Sequence, residues 1–271
     1  MATTETGSLH EWPPLDEWVR RIDAQRAQRY PDAGPNLTSL GSARFRHEHG
    51  RVAVAYARFA PDTAPQAIRQ IVTYARQLFS TITWTITDAD GEGQALAATL
   101  RGHGFVREER LYLMARQGDL RARLNPAISV RPITTWAEMW AYEKGSRQSF
   151  YDDPYPDPAV VTARASERWR QQQMGWYRHY VTVLRGEYVG GLYMSLWEEI
   201  PTIMGVYTND LARHQGAATA ALARVIHETV REGKRAYCLY VKEGNPARGL
   251  YEELGFQLFG AEETYTLNPL T

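Results

Sequence analysis

The chain of 271 residues exceeds the usual size of one domain, and its 44% hydrophobic and 23% charged residues are typical of a globular protein. Its 31 basic and 31 acidic residues balance, which gives no general attraction to nucleic acid or acidic lipid. No apolar run approaches the ~20 residues of a membrane span, and the single Cys238 excludes an internal disulfide. The N-terminus lacks a secretory pattern. We expect a cytoplasmic, two-domain protein that binds a small molecule, with neither a membrane nor a nucleic acid as partner.

The first 40 residues are rich in turn-formers and contain one mostly polar helical stretch, Leu15–Tyr30, so we interpret them as an appendage. A first α/β domain is expected over residues 41–116. A linker follows at 117–127, where Gly118, Asp119, Asn125 and Pro126 cluster. The predicted elements of the first domain are strand Arg51–Phe59, helix Pro65–Phe79, strand Thr81–Thr87 and a short helix that ends at Gly104.

The second domain is expected over residues 128–271 and opens with a strand, Ile128–Pro132. Helical patterns follow at Trp136–Ser146 and Ala159–Met174, separated by a polar, aromatic loop. A meander of three strands comes next: Tyr180–Leu184, Tyr188–Trp197 and Thr202–Thr208. The order then predicts a helix, a strand and a last helix: Gln215–Glu232, Ala236–Val241 and Asn245 to Gly255. Together these elements indicate an α/β fold with a mixed sheet.

A weak internal repeat relates the two domains. The segment Thr99–Phe105 can be laid on Leu250–Phe256, and both are preceded by a strand and followed by strand-like residues. Self-similarity of this kind is typical of a duplicated fold. We therefore expect two copies of one fold in tandem.

The segment Gly205–Ala218 runs from a strand through a tight loop into a helix, and it is the most informative part of the sequence. Such a loop exposes unpaired backbone N–H groups at the positive end of the helix dipole. The small residues Gly216, Ala217 and Ala218 let an anion approach the backbone, so a pyrophosphate would fit there. The alternative is an ordinary strand-to-helix turn with a glycine near the cap.

The segment Asn245–Phe256 places Tyr251 on the same helix face as Ala247 and Leu254. The ring would be partly buried while the hydroxyl points into a cleft. Transfer from a thioester expels a thiolate, which a positioned hydroxyl can protonate. The alternative is a core tyrosine with a satisfied hydroxyl.

Taken in this order, the two segments resemble the GNAT superfamily of N-acetyltransferases. One family signature, glutamine or arginine, two residues, glycine, one residue, and glycine or alanine, is met by Arg213, Gly216 and Ala218. The asparagine-to-glycine-phenylalanine signature is met by Asn245, Ala247, Leu250, Tyr251, Leu254, Gly255 and Phe256. The resemblance covers Ile128 to about Leu267. It implies tandem GNAT-like units, each a splayed mixed sheet flanked by helices.

The resemblance also implies acetyl-CoA as co-substrate and no metal. The pantetheine arm would enter between the strands that end near Thr208 and Val241. The backbones of Val206 and Thr208 would pair with it, those of His214 to Ala218 would hold the pyrophosphate, and Asn245 and Tyr251 would face the CoA arm and sulfur. The full predicted cofactor set is Val206, Tyr207, Thr208, Arg213, His214, Gln215, Gly216, Ala217, Ala218, Asn245, Arg248 and Tyr251. His214 stands where the family often has glycine.

The first domain is expected to be a degenerate copy that serves as a structural partner. There is no glycine between Gly50 and Gly91, and Ala60–Pro65 stands where a pyrophosphate loop should precede the helix. In the overlay Leu100 occupies the position of Tyr251, which removes the hydroxyl.

An ammonium acceptor must lose a proton before it attacks a thioester. Several side chains are candidate bases and none stands out: Tyr193, Glu198, Glu199, Tyr207 and Glu243. We favour a solvated hairpin turn as the interpretation of Glu198 and Glu199. The histidines lack partners at metal-ligand spacing, and Cys238 is interpreted as a packing residue.

The loop Ser149–Pro158 lies in a region that commonly walls the acceptor side of the cleft in the resembled family. Carboxylates interleaved with aromatic rings would hold a cationic amine. The candidate acceptor-binding residues are Tyr151, Asp152, Asp153 and Tyr155, with Glu198 from the hairpin turn. The alternative is a solvated surface loop stiffened by prolines.

The leading hypothesis is an enzyme that transfers acetyl from acetyl-CoA to a primary amine of a small molecule by direct attack in a ternary complex. Tyr251 would act as general acid toward the CoA thiolate. Two alternatives are transfer to a protein lysine or N-terminus, and a catalytically silent acyl-CoA-binding protein. A monomer or a homodimer is expected.

Overall fold

The computed structural model describes residues 17, 35, 37, 39–48, 50–78, 80–87, 92–151, 153–196 and 198–268. The chain divides into two compact units, Met1–Tyr112 with Phe259–Thr271, and Leu113–Leu258. The predicted helix Leu15–Tyr30 lies outside the described residues except for Glu17. No helix within the described ranges is long and apolar enough to cross a membrane.

The strands and helices follow the predicted order closely. The strands are β1 Gly41–Glu48, β2 Arg51–Phe59, β3 Thr81–Thr87, β4 Val106–Gln117, β5 Ile128–Pro132, β6 Tyr177–Leu184, β7 Glu187–Ser195, β8 Thr202–Thr208, β9 Ala236–Lys242 and β10 Gln257–Leu267. The helices are α1 Ala64–Gln77, α2 Glu92–Gly102, α3 Trp136–Tyr151, α4 Pro158–Gln173, α5 Ala217–Arg231 and α6 Ala247–Glu253. A short 3-10 turn, Asp210–Ala212, precedes α5.

The first unit is built on the strand order β1-β2-β3-β10. β1 and β2 are antiparallel, β2 and β3 are parallel, and β10 is antiparallel to β3. Alternate residues of β3 are buried, as expected for a strand with one face on the core. The α1 residues Ile68 and Ile71 pack with Trp84, Leu100 and Tyr265 in one core, and all five side chains are fully buried.

The second unit has the strand order β4-β9-β8-β7-β6-β5. Strands β6 to β8 form the predicted antiparallel meander, β5 pairs antiparallel with β6, and β8 and β9 are parallel. Neighbouring residues of β6 face opposite helix layers. The ring of His179 packs against Tyr142 of α3, whereas the Tyr180 hydroxyl donates to Glu228 of α5 over 2.7 Å. The sheet therefore lies between α3 with α4 on one face and α5 on the other.

Hydrogen bonds at their first turns fix α3 and α4. Thr135 Oγ1 accepts the Glu138 N–H at 3.2 Å, and Glu138 Oε2 accepts the Thr135 N–H at 3.1 Å. This reciprocal pair is a capping box. Asp157 Oδ1 accepts the Ala159 N–H at 2.8 Å, with Pro158 in the first turn of α4.

The two halves of the sequence repeat end their helices in the same way. The Phe105 N–H donates to Leu100 O at 3.1 Å, and the Phe256 N–H donates to Tyr251 O at 2.9 Å. The preceding glycines are both left-handed, with φ of 85° at Gly104 and 80° at Gly255. Leu100 and Tyr251 therefore occupy equivalent positions, as the overlay predicts.

The division into units differs from the predicted domains at both ends of the second domain. Residues from Phe259 onward belong to the first unit, because β10 pairs with β3 from Glu262 opposite Thr87 to Leu267 opposite Ile82. The predicted linker 117–127 belongs to the second unit. It is held there by the Asn125 side-chain amide, which donates to Gln215 O at 3.1 Å.

β1 and α3 differ from the sequence predictions. β1 carries few apolar residues and no strand was predicted there, although it pairs with β2 along its length. α3 continues to Tyr151, so the first three residues of the predicted loop Ser149–Pro158 are helical.

Candidate active site

β8 and β9 separate within the second unit. Thr202 lies opposite Cys238 and Ile203 opposite Leu239, and these are the two ladder pairs that join the strands. Both strands continue beyond them, to Thr208 and to Lys242. A gap therefore opens between the carboxyl ends of two parallel strands, a common place for ligands in open α/β sheets. It lies where the sequence analysis expects the pantetheine arm.

A β-bulge in β8 lies beside this gap. Gly191 lies opposite Tyr207 and Tyr193 opposite Met204, so Gly205 and the residue after it oppose a single residue of β7. Gly205 has φ of +59°, and a Cβ built on it would lie 2.7 Å from the Tyr193 ring. Only glycine fits there without a backbone or ring shift.

The loop between β8 and α5 has the geometry of an anion site. His214 and Gly216 are both left-handed, with φ of 60° and 85°. Gly216 is the N-cap of α5 and supplies no side-chain cap, and a Cβ built on it would meet nothing within 4 Å. The first N–H groups of α5 therefore stand at the positive helix end with room for an anion.

The loop's own side chains hold it in shape. The Gln215 side-chain amide donates to Leu211 O at 3.0 Å. Arg213 and Asp210 form an exposed ion pair at 2.7 Å. The predicted cofactor residues His214 to Ala218 thus lie together at the N-terminus of α5.

Tyr251 lies on α6, which begins shortly after β9 ends and so at the same sheet edge as the gap. Its side chain is 6% exposed and packs edge-on against the Phe256 ring. Burial raises the pKa of the Tyr251 hydroxyl to about 12, which keeps the phenol neutral and able to donate a proton.

The two polar residues predicted near Tyr251 make local contacts. The Asn245 Oδ1 accepts the Ala247 N–H at 2.9 Å and so caps α6. Arg248 donates to Glu252 at 2.8 Å, one helical turn along. Both residues therefore stabilise α6 at the edge of the gap.

The side chain of Tyr207 belongs to the core. It is 7% exposed, and its hydroxyl donates to Tyr142 O at 3.1 Å. Burial raises its pKa above the ordinary value for a phenol. Tyr207 is thus enclosed, while Val206 and Thr208 beside it are partly exposed.

The prediction of a solvated turn is wrong for Glu198, whose side chain is buried. Glu198 is 2% exposed, and its Oε2 accepts the Thr202 hydroxyl at 2.8 Å, the Thr202 N–H at 3.2 Å and the Ser195 hydroxyl. Two hydroxyls and a backbone N–H replace water for this carboxylate, which makes its burial tolerable. Glu199 is exposed, as a solvated turn requires.

The candidate acceptor residues around the end of α3 are mostly exposed. Tyr151 is 67% and Tyr155 is 91% exposed, and Asp153 Oδ1 accepts the Tyr155 N–H at 3.2 Å. Asp152 lies outside the described residues. The ring of Phe150 packs against Tyr207 of β8, which places the end of α3 beside the strand that forms the gap.

A buried cluster of polar and aromatic side chains beneath the bulge was not recognised in the sequence. The His179 ring stacks on Tyr193 at 5.0 Å between centroids, and Tyr142 meets it edge-on at 5.4 Å. The Arg168 guanidinium lies over the Tyr193 ring at 4.8 Å and donates to Glu143 at 2.6 Å. The sequence signal that could have revealed this cluster is the alternation of β6, which places His179 on the sheet face that α3 and α4 cover.

The last candidates from the sequence are Cys238 as a nucleophile and groups of side chains that could bind a metal. Cys238 is buried, with its Sγ 3.3 Å from Thr202 Oγ1, in keeping with a packing role. Within the part of the chain that the structure describes, no three His, Cys, Asp or Glu side chains are grouped to hold a metal ion.

Comparisons with known proteins identify the fold. Residues 137–256 match the model of the acetyltransferase (GNAT) family. A GCN5-related N-acetyltransferase from Kribbella flavida is 16% identical with a TM-score of 0.66, over 92% of this chain and 94% of that one. A tandem GNAT protein from the clavulanic acid biosynthesis pathway is 15% identical with a TM-score of 0.62, over 93% and 94%. No curated protein sequence matches the chain.

Proposed function

We propose that this chain, a member of the GNAT superfamily of tandem type, uses its second unit to transfer acetyl from acetyl-CoA to the primary amine of a small molecule. The observation that carries the proposal is the gap between β8 and β9 next to the uncapped N-terminus of α5. An anion site and an open strand pair at one sheet edge suit a long phosphorylated thioester.

Acetyl-CoA would supply the activated acetyl group, and the residues present fit it. The N–H groups of His214 to Ala218 would hold the pyrophosphate, because Gly216 leaves the backbone open. The backbones of Val206 and Thr208 would bind the pantetheine arm along the unpaired part of β8. Arg248 of α6 and Asn245 just before that helix would line the arm.

The proposed chemistry is direct attack. The amine nitrogen would form a bond to the thioester carbon as the carbon–sulfur bond breaks, and the amine would lose one proton to water. The Tyr251 hydroxyl gives its proton to the departing thiolate. Burial raises the pKa of the Tyr251 phenol to about 12, so the hydroxyl is neutral and can donate a hydrogen bond to the thiolate that forms beside it.

The acceptor would lie toward the end of α3. The exposed rings of Tyr151 and Tyr155 and the carboxylates of Asp152 and Asp153 would attract an amine-bearing molecule by charge and by cation–π contact. Glu198 is no longer part of this proposed site, because its carboxylate is enclosed in its own turn.

The test is release of the CoA thiol with a panel of 1-butylamine, tyramine, spermidine, lysine and an aminoglycoside, with products identified by mass spectrometry. Tyr251→Phe should lower kcat by about 10²- to 10⁴-fold and leave the Kd for acetyl-CoA unchanged. The matched control is Tyr180→Phe, which removes a buried hydroxyl bonded to Glu228 on the α5 face.

The control should lose stability and keep its kcat. If Tyr251→Phe turned over at the parental rate across pH, the tyrosine would be structural. If the parent released no thiol with any amine, transfer to small-molecule amines would be rejected.

A further inference from the structure

Two buried polar atoms in the cluster beneath the bulge have no hydrogen-bond partner among the described residues. They are the hydroxyl oxygen of Tyr142 and Nε2 of His179, on side chains 1% and 0% exposed. The two rings meet edge-on with centroids 5.4 Å apart. An unpaired buried polar group is costly, and native proteins keep few of them without a functional reason.

The hydrogen-bond network around Gln172 fixes the roles of these atoms. The Gln172 side-chain amide donates to Ile133 O at 2.9 Å, so its Oε1 faces His179. That oxygen accepts the His179 backbone N–H at 2.9 Å and the ring Nδ1–H at 3.1 Å. With the proton on Nδ1, Nε2 is a bare acceptor. The Tyr142 hydroxyl is then the group with a proton to give.

The Tyr142 hydroxyl lies next to the strand that borders the gap. A Cβ built on Gly205 would lie 3.2 Å from it, so the hydroxyl lies directly under the bulge of β8. Gly205, Met204 and Val206 are partly exposed. Gly205 is therefore the residue of the gap from which a small group would approach the Tyr142 hydroxyl.

The charges in the cluster favour an uncharged occupant. The Arg168 guanidinium lies 5.8 Å from the Tyr142 ring centroid and already pairs with Glu143. Burial and then Arg168 lower the pKa of His179 to about 3, so its ring is neutral at any pH where an amine is turned over. The Glu143 carboxylate is already engaged by Arg168, so it is not open to a second cation.

We propose that Tyr142 is the acceptor-side contact of the acetyl transfer and that His179 is a positioning residue acting through it. The Tyr142 oxygen accepts an N–H of the neutral primary amine, while the Tyr142 proton turns toward His179 Nε2. The nitrogen lone pair then stays free for the thioester. This inference rests on the proposed function, and it adds selection of the uncharged amine by two neutral side chains whose polar atoms have no other partner among the described residues.

The experiment compares Tyr142→Phe and His179→Phe with the parent, using thiol release from the amine panel, acetyl-CoA calorimetry and thermal unfolding. Tyr142→Phe should lower kcat/KM for the amine at least about tenfold with an unchanged Kd for acetyl-CoA, while the Tm stays equal or rises because an unpaired hydroxyl is removed. His179→Phe should give a similar kinetic loss, and the double variant no further loss.

The matched control is Tyr180→Phe, whose hydroxyl is paired, and it should show a lower Tm with unchanged kinetics. The ¹⁵N shift of His179 Nε2 should also move when 1-butylamine is added to the CoA complex of the parent, and not in Tyr142→Phe. Parental kinetics in Tyr142→Phe with a lower Tm would overturn this inference alone. A parent that fails to bind acetyl-CoA or to release thiol would overturn the proposed function, and this inference with it.

Discussion

His214 is the residue at which the loop before α5 departs from a glycine. Its backbone is left-handed, with φ of 60°, a conformation that glycine adopts freely and that histidine tolerates better than most residues. The loop before α5 therefore keeps the backbone conformation that a glycine would adopt at this position. The histidine adds backbone strain at this one residue.

This strain predicts a stabilising substitution. His214→Gly should raise the free energy of unfolding by about 0.5 to 1 kcal/mol, because the left-handed strain exceeds the extra chain entropy of glycine. The Kd for acetyl-CoA should change little, since the backbone path stays the same. Urea unfolding and calorimetry measure the two quantities.

The neighbouring Arg213 is the matched control, since its φ of −59° needs no glycine. Arg213→Gly should lower stability. Equal or opposite changes in the two variants would show that the conformation of His214 is not strained.

At the scale of elements, the α3 and α4 face of strands β6 to β8 encloses His179 in a way that links stability to pH. Burial first, and then the charge of Arg168, lower its pKa to about 3 from an unfolded value near 6.5. The groups facing it are Arg168 from α4, Glu143 from α3 and the phenols of Tyr142 and Tyr193. The folded state therefore keeps His179 neutral where the unfolded chain protonates it.

The unfolded state binds the extra proton below pH 6.5, so stability is present above that pH and falls as the pH decreases toward 3. Between pH 7.5 and 5 the free energy of unfolding should fall by about 2 kcal/mol through this residue. His179→Phe should show a pH dependence shallower by that amount in urea titrations. The same slope in parent and variant would mean that His179 titrates normally in the folded protein.

The sequence patterns predict regular elements better than they predict which side chains meet. Strands β2, β3, β5 and β8 have their predicted bounds because their alternation and flanking turns are clear. β1 was missed because its residues do not alternate clearly. The loop at α5 could be located from Gly216 and its small neighbours, since the backbone there does the binding.

The enclosure of Tyr207 and Glu198 and the ring contact between Tyr142 and His179 could not be predicted. They depend on which face of one strand lies against which helix, and on hydrogen bonds between residues far apart in sequence. Local periodicity carries no such information. The assignment of β10 to the first unit could not be predicted either, because its partner β3 lies more than 160 residues earlier in the sequence.

At the scale of the whole molecule, the first unit repeats the strand–helix–strand pattern of the second. The start of its helix α1 does not offer the free backbone N–H donors that the start of α5 offers. β2 has a bulge at Tyr56, with φ of 55°, and runs through α1 into a parallel β3, just as β8 runs through α5 into β9. At the start of α1, the N–H groups of Thr63 and Ala64 already donate to Ala60 O at 3.0 and 2.9 Å. Pro65 has no N–H. We therefore expect one acetyl-CoA site per chain.

The most direct test is calorimetric titration of the parent, Gly216→Val and Gly233→Val with acetyl-CoA. The two glycines lie at opposite ends of α5 with φ of 85° and 89° and nothing within 4 Å of a built Cβ, so valine strains both alike. The parent should bind one acetyl-CoA per chain, Gly233→Val should bind with the parental Kd, and Gly216→Val should bind roughly tenfold or more weakly. Two sites in the parent, or equal Kd values in the two folded variants, would contradict the placement of acetyl-CoA at the N-terminus of α5.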